Sequence, residues 1–395
     1  MIGRRRPMAR RRRTPRGRRP VPWILAAAAV GGLIVVAATR WPANPQSAGG
    51  QSTPGRNGGA PSDGSTAVLG SPAGTIDPPS AARSASPPPP SPPPTPGRFG
   101  LGLLIADRGN GRLLIVDDAK HVLWRFPAAG SLPKGQRFSA DDAFLAPDGR
   151  TIVANDESHQ VIDRIDIASR RVIWQYGHYD QIGSRAGFLH TPDDAYPLAN
   201  GDIVAADIRN CRILEINAAK RVVRQWGHGG DCSHRPPTNF DNPNGDTPLS
   251  DGGLLITEIG GSRVVRLSPG GRVVFDIHVP VRYPSDAQLA ADGNVIVVDY
   301  SNPGAILRVS PKGRVLWRYG PRSGRGRLNH PSLAIVLSDG TIALNDDFRD
   351  RVILVDPRTD RIVWQYGRTD LRGRGPGFLF IPDGIDIIPA GTPLS

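Results

Sequence analysis

Residues 382–388 read Pro-Asp-Gly-Ile-Asp-Ile-Ile and are followed by Ala390-Gly391. Apolar side chains bounded by turn formers mark this run as a short strand. No companion strand follows it. At the other end of the same region, the segment near Leu103 carries three strand-like runs: Leu103-Leu104-Ile105, Leu113-Leu114-Ile115 and Val122-Leu123-Trp124. That segment lacks a Pro-led first strand, and the orphan at 382–388 supplies one. A chain whose last strand completes its first unit closes into a ring. It has none of the exposed edges of an open array.

Between those ends, residues 99–388 repeat a unit of roughly 41–52 residues, a period typical of blade or solenoid repeats. Each unit opens on a Pro-led strand, turns at a Gly, and runs through an apolar strand that closes on an acid. An Arg-Val/Ile strand and an outer strand, often ending Trp-x-Tyr-Gly, complete it. The first turn recurs as Asp148-Gly149, Asn200-Gly201, Asp251-Gly252, Asp292-Gly293 and Asp339-Gly340, dipeptides that supply the positive φ of tight hairpins. The outer strand recurs as Val122-Leu123-Trp124, Val172-Ile173-Trp174, Val222-Val223-Arg224, Val315-Leu316-Trp317 and Ile362-Val363-Trp364. The expected fold is all-β: a six-bladed β-propeller over 99–395 closed by a C-terminal strand, preceded by one transmembrane helix and a disordered stalk.

The region before the repeats holds most of the charge. The chain has 49 Lys+Arg and 36 Asp+Glu, net +13, yet residues 1–20 alone carry ten Arg and no acid. From residue 99 onward 35 basic residues face 34 acidic ones, so no nucleic-acid partner is expected for the propeller. Val21–Thr39 is a 19-residue uncharged run, VPWILAAAAVGGLIVVAAT, close to the roughly 20 residues that span a bilayer. Arginines on one side only predict a cytoplasmic tail at 1–20, a signal-anchor at 21–39 and an extracytoplasmic remainder. Cleavage near the small residues Val36-Ala37-Ala38, giving a secreted protein, is the alternative. Residues 40–98 are rich in Pro, Gly and Ser, with SPPPPSPPPTPG at 86–97. Such a segment buries too little apolar surface to fold and serves as a stalk.

The run Asp-x-x-Asn-x-Arg-Leu/Ile at Asp107–Leu113 and Asp207–Ile213 has weaker copies at Glu258–Val264 and Asp346–Val352. It resembles the NHL repeat of six-bladed propellers. Asp356–Trp364 resembles the repeat of pyrroloquinoline-quinone-type propellers, although those enzymes normally have eight blades. In its whole layout the chain resembles membrane-anchored propeller proteins of actinobacteria. The recurring Trp and Arg read as blade-to-blade packing and loop hydrogen bonds.

Propellers hold ligands where the innermost strands begin. Aligned on the strand-start Pro, with Ala140 in its place in the second unit, the next residue is Asp141, Asp193, Asn244, Ser285, Ser332 or Asp383. One further on stand Asp142, Asp194, Gly245, Asp286, Leu333 and Gly384. Asp142, Asp194, Asp286 and Asn244 are therefore channel-face candidates. Their oxygens suit Ca²⁺ or Mg²⁺, or simply line a wet channel mouth. His190 and His330 precede the strand-start Pro in the third and sixth units, opposite each other across the ring. Six-bladed lyases hold Zn²⁺ with three histidines at such points; here there are two, offset by one residue. His178 and His228 follow in neighbouring loops.

The reading for function is a binding or scaffolding propeller that takes a protein, peptide or glycan on its channel face. The alternative is a propeller enzyme with a channel metal or histidine: a lactonase-like hydrolase, a lyase or an arylsulfotransferase-like enzyme. No P-loop, dinucleotide fingerprint or Ser-His-Asp spacing is present. The sole cysteines, Cys211 and Cys232, fall in two loops on one side of the third blade, and outside the cytoplasm they are expected to form a disulfide.

Overall fold

The computed structural model describes residues 97–395. The expected tail, anchor and most of the stalk, residues 1–96, lie outside the described residues. Among the described residues no helix is long and apolar enough to cross a membrane. They form six four-stranded antiparallel sheets. Blade 1 joins Pro382–Ile388 to Gly102–Asp107, Arg112–Val116 and Val122–Phe126. The innermost strands of blades 2 to 6 are Ala143–Leu145, Pro192–Pro197, Pro243–Pro248, Pro284–Leu289 and Ala334–Val336. The closure expected from residues 382–388 is present: Leu103 pairs with Ile387, Leu104 with Asp386 and Ile105 with Ile385.

The turn chemistry differs in detail from the hairpin expectation. At Asp148-Gly149, Asn200-Gly201, Asp251-Gly252, Asp292-Gly293 and Asp339-Gly340 only the Gly takes positive φ. The side-chain oxygen before it accepts the N–H two residues on: Asp148 from Arg150 at 2.7 Å, Asn200 from Asp202 at 3.0 Å, Asp251 from Gly253 at 2.9 Å. These are Asx turns, which explains why Asp or Asn, rather than a second Gly, recurs there.

The acid that closes each second strand binds the chain as it enters an innermost strand. Asp107 accepts the N–H of Phe380, Asp156 that of Ser139, Asp207 that of His190, Glu258 that of Asp241, Asp299 that of Arg282 and Asp346 that of Asn329. In blades 1 and 3 the same carboxylate also takes the Asn and Arg of the repeated motif. Asp207 accepts from Asn210 at 2.8 Å and Arg212 at 2.7 Å. These buried pairs fix where each innermost strand begins, and hence the geometry of the channel mouth.

Outer-strand tryptophans link neighbouring blades. Trp124 donates to the carbonyl of Ile167, Trp174 to Ala218 and Trp364 to Asp118. In blade 3 Arg224 replaces Trp and donates to Pro269. The apolar core lies between adjacent sheets; one cluster joins Val153 and Ile162 of blade 2 to Ile203 and Leu214 of blade 3. Cys211 and Cys232 are disulfide-bonded, with Cα atoms 5.1 Å apart. The bond ties the long connection 227–242 to the turn that follows the second strand of blade 3.

Candidate functional site

Six innermost strands converge on a cavity of about 120 Å³ at the end of the channel where those strands begin. All six residues directly after the strand-start position line it: Asp141, Asp193, Asn244, Ser285, Ser332 and Asp383. Asp142 and Asp194 line it one position deeper, and Arg108, Glu157, Tyr283 and Tyr300 complete the wall. The local fold aims these side chains. The innermost strands of blades 3, 4 and 5 each slip register between their first residue or two and the regular ladder beyond, at Asp193/Tyr196, Pro243/Asp246 and Pro284/Ala287. A bulge of this kind turns consecutive side chains toward one space. Asp194 holds the left-handed conformation, φ 45°, which an L-residue keeps only when its surroundings enforce it.

Six carboxylates line the cavity and one cation, Arg108, answers them. The Arg108 guanidinium is paired with Asp141, with Asp383 at 2.7 Å and with Glu157 at 2.7 Å. Burial disfavours charge on Asp383, but Arg108 outweighs it and holds that carboxyl below the usual range. Asp141, which shares the same guanidinium, is pushed well up by burial and by like charge. Away from Arg108, burial raises Asp142 and Asp194 well above the usual carboxylate range, and each neighbour pushes the same way. Burial likewise takes Asp193 up to about 7 and Asp286 up to about 6. One oxygen of Asp193 accepts from Asn244, whose own oxygen accepts the Tyr283 hydroxyl at 2.8 Å. Asp194 Oδ2 and both carboxylate oxygens of Asp246 are buried without a hydrogen-bond partner.

Of the residues singled out from sequence, Asp142, Asp194 and Asn244 meet in this cavity. Asp286 is buried beside them without lining it, held by Thr247 at 3.3 Å and Gln288 at 3.2 Å. His190 and His330 are not among the lining residues. His330 Nδ1 lies 2.8 Å from Asn329 Oδ1, and its ring stands 4.8 Å from that of Tyr300 and 4.8 Å from that of Phe348. Burial lowers the pKa of both histidines. Sequence reasoning missed Arg108, Glu157, Tyr300 and Asp246. Arg108 occupies a variable position inside the Asp-x-x-Asn-x-Arg turn, and nothing in the motif marks it.

The molecule is therefore a six-bladed β-propeller with a small acidic chamber at one end of its channel. Residues 220–375 match the family described as outer membrane protein assembly factor BamB. Of the two repeat likenesses, the pyrroloquinoline-quinone-like one thus has a family match. No curated protein matches the sequence. Among solved structures, a protein of unknown function from Bacteroides caccae is 18% identical, covering 72% of this chain and 97% of that one with a TM-score of 0.51. A chain of the nidogen/laminin complex is 14% identical, covering 73% and 99% with a TM-score of 0.51. These likenesses establish the fold. Virginiamycin B lyase from Staphylococcus aureus is more distant, 15% identical over 57% of this chain and 70% of that one, with a TM-score of 0.40.

Proposed function

We propose that this chain is a protein-binding propeller displayed outside the cytoplasmic membrane, anchored by residues 21–39 and held off by the stalk at 40–98. The observation that carries the binding role is the size of the channel chamber. At about 120 Å³ it falls well below the roughly 300–1,000 Å³ of sites that enclose a metabolite. The surface available for recognition is the face around it. There the connections 178–191, 227–242, 320–333 and 368–381 present exposed Arg185, Arg235, Arg325 and Arg372. The family matched by residues 220–375 is named for an assembly factor, a role met by binding protein. The Cys211–Cys232 bond suits an oxidising compartment.

Site-specific photo-crosslinking in the native host tests the binding face. Probes at Arg185, Arg325 and Arg372 should yield discrete protein adducts, and probes at the perimeter positions Val223 and Val315 should not. Adducts confined to the perimeter would reject the face. A substrate turned over by the intact chain, with activity lost on Asp193→Asn, would replace binding by the metal-enzyme alternative. Protease added to intact cells should reach the propeller and spare the Arg-rich tail; a secreted form beginning near Arg40 would reject the anchor.

A further inference from the structure

We infer that the channel chamber holds one hard divalent cation, Ca²⁺ in preference to Mg²⁺, on the carboxylates of Asp141, Asp142, Asp193 and Asp194. Two independent observations point to it. Asp141, Asp142 and Asp193 each bring one carboxylate oxygen within 4.8 Å of the others, and all three are buried. Two oxygens on opposite sides of one Ca²⁺, each about 2.4 Å from it, stand about 4.8 Å apart. The group can therefore share one ion with no rearrangement of the strands. Secondly, Asp194 is 3% exposed, lines the same chamber and leaves Oδ2 without a partner. An unpaired buried carboxylate oxygen is costly unless something absent from the chain satisfies it.

The chain's own cation cannot do so. Arg108 is engaged with Asp141, Glu157 and Asp383. That leaves the carboxyls of Asp142, Asp193 and Asp194 around one space with no cation of the chain paired to them. The donor set is all oxygen, which suits Ca²⁺ or Mg²⁺ and not the nitrogen- and sulfur-seeking Zn²⁺. His190 and His330, the donors Zn²⁺ would need, stand outside the chamber. Carboxylates from separate strands at unequal depths fit the flexible, high-coordination shell of Ca²⁺ better than the strict octahedron of Mg²⁺. The volume of about 120 Å³ admits the ion with a few waters. Bound there, it would join blades 2 and 3 at the channel axis, a pin independent of any partner on the rim.

The test uses the full-length chain, stripped with chelator and dialysed against Ca²⁺, Mg²⁺ or Zn²⁺. Bound metal is counted by elemental analysis and stability is read by thermal scan. The expected result is one Ca²⁺ per chain, a melting temperature raised by several °C at saturation, and a smaller response to Mg²⁺. Asp142→Asn and Asp193→Asn should each abolish the Ca²⁺ response. Stripped of metal, both variants should melt no lower than stripped wild type, because each removes like-charge repulsion; this separates a lost ligand from a lost fold. His190→Ala should keep the full response. A stripped wild-type chain that takes up no stoichiometric divalent ion would overturn the inference. So would Ca²⁺ binding that survives both Asp substitutions, or occupation of the chamber by an organic cation alone. Rim crosslinking can succeed or fail independently of each of these outcomes.

Discussion

The two halves of the channel ring use the same strand-start position in opposite ways. In blades 1, 2 and 3 it carries Asp383, Asp141 and Asp193; in blades 5 and 6 it carries Ser285 and Ser332. On the serine side both hydroxyls are answered within the chain. Ser285 donates to the carbonyl of Ser332 at 2.6 Å, and Ser332 donates to the carbonyl of Asp383. One residue on, Leu333 joins the apolar core. On the acidic side acceptors outnumber donors, and Asp194 keeps an oxygen unpaired. The hydroxyls hold adjacent innermost strands together, while the carboxylates surround a space. The inferred cation site rests on this difference between the two halves.

The largest expected effect comes from removing the strand where the two halves meet. Deleting residues 382–395 from the full chain takes away the innermost strand of blade 1, the carboxylate of Asp383 and the acceptor of Ser332. The ring opens and two strand edges are exposed. A loss of several kcal/mol is expected, much of the stability of an ordinary domain, read as a lower urea midpoint. A truncated chain that unfolds at the same midpoint would show that closure carries little of the stability.

The serine-to-aspartate gradient was legible in the sequence because each innermost strand announces itself with Pro or its Ala140 substitute. Counting one residue on from that mark finds all six side chains of the chamber's upper ring. Counting backward fails for a physical reason. His190 sits in a connection whose backbone N–H is held by Asp207, so residues before the Pro are fixed by loop bonds and do not follow the strand's alternation. Asp286 was found at the right register, but its carboxylate turns to Thr247 and Gln288 within its own side of the ring. Arg108 was invisible because its three partners, Asp141, Glu157 and Asp383, come from 33 to 275 positions away. Only the closed ring brings them together.

Arg108 gives the next largest effect. Arg108→Met removes the single cation lining the chamber and leaves three carboxylates without their counter-charge. Losing one partner of a buried ion pair typically costs about 3–5 kcal/mol, so a loss near the lower figure is expected at pH 7.5. Part of it should return at pH 5, where protons replace the missing charge. A loss of equal size at both pH values would mean that the guanidinium acts by packing alone.

Acidification itself should act through the buried carboxyls around the channel. Burial raises the carboxyls of Asp142, Asp193, Asp194 and Asp286 above their unfolded values, with Asp193 at about 7 and Asp286 at about 6. The folded chain then binds more protons than the unfolded one between about pH 4 and 7, so its stability falls as pH rises through that window. With chelator present, the melting temperature should drop on the order of 5 °C from pH 5 to pH 8. Ca²⁺ should flatten the slope by compensating the ionised groups. Asp193→Asn should also flatten it, with no metal added. A melting temperature that rises with pH in chelator would show that these carboxylates are ionised in the folded state.

The smallest effect is the sharpest comparison of the two sides. Ser285→Ala deletes one hydroxyl donor and leaves the carbonyl of Ser332 with one bond fewer. A neutral hydrogen bond of this kind contributes about 1 kcal/mol, which for a domain of this size is about 2 °C. The loss should be the same with Ca²⁺ or chelator, because Ser285 answers a backbone carbonyl and not the carboxyls of the chamber. Asp193→Asn, in the same stripped background, should cost nothing or add stability, and should lose the response to Ca²⁺. Serine and aspartate occupy equivalent strand positions in one ring, so the pair controls for backbone context. If both substitutions lowered stability alike and neither changed the metal response, the acidic half would be bonding its neighbours as the serine half does, and the division of the channel into a structural and a ligand side would fall.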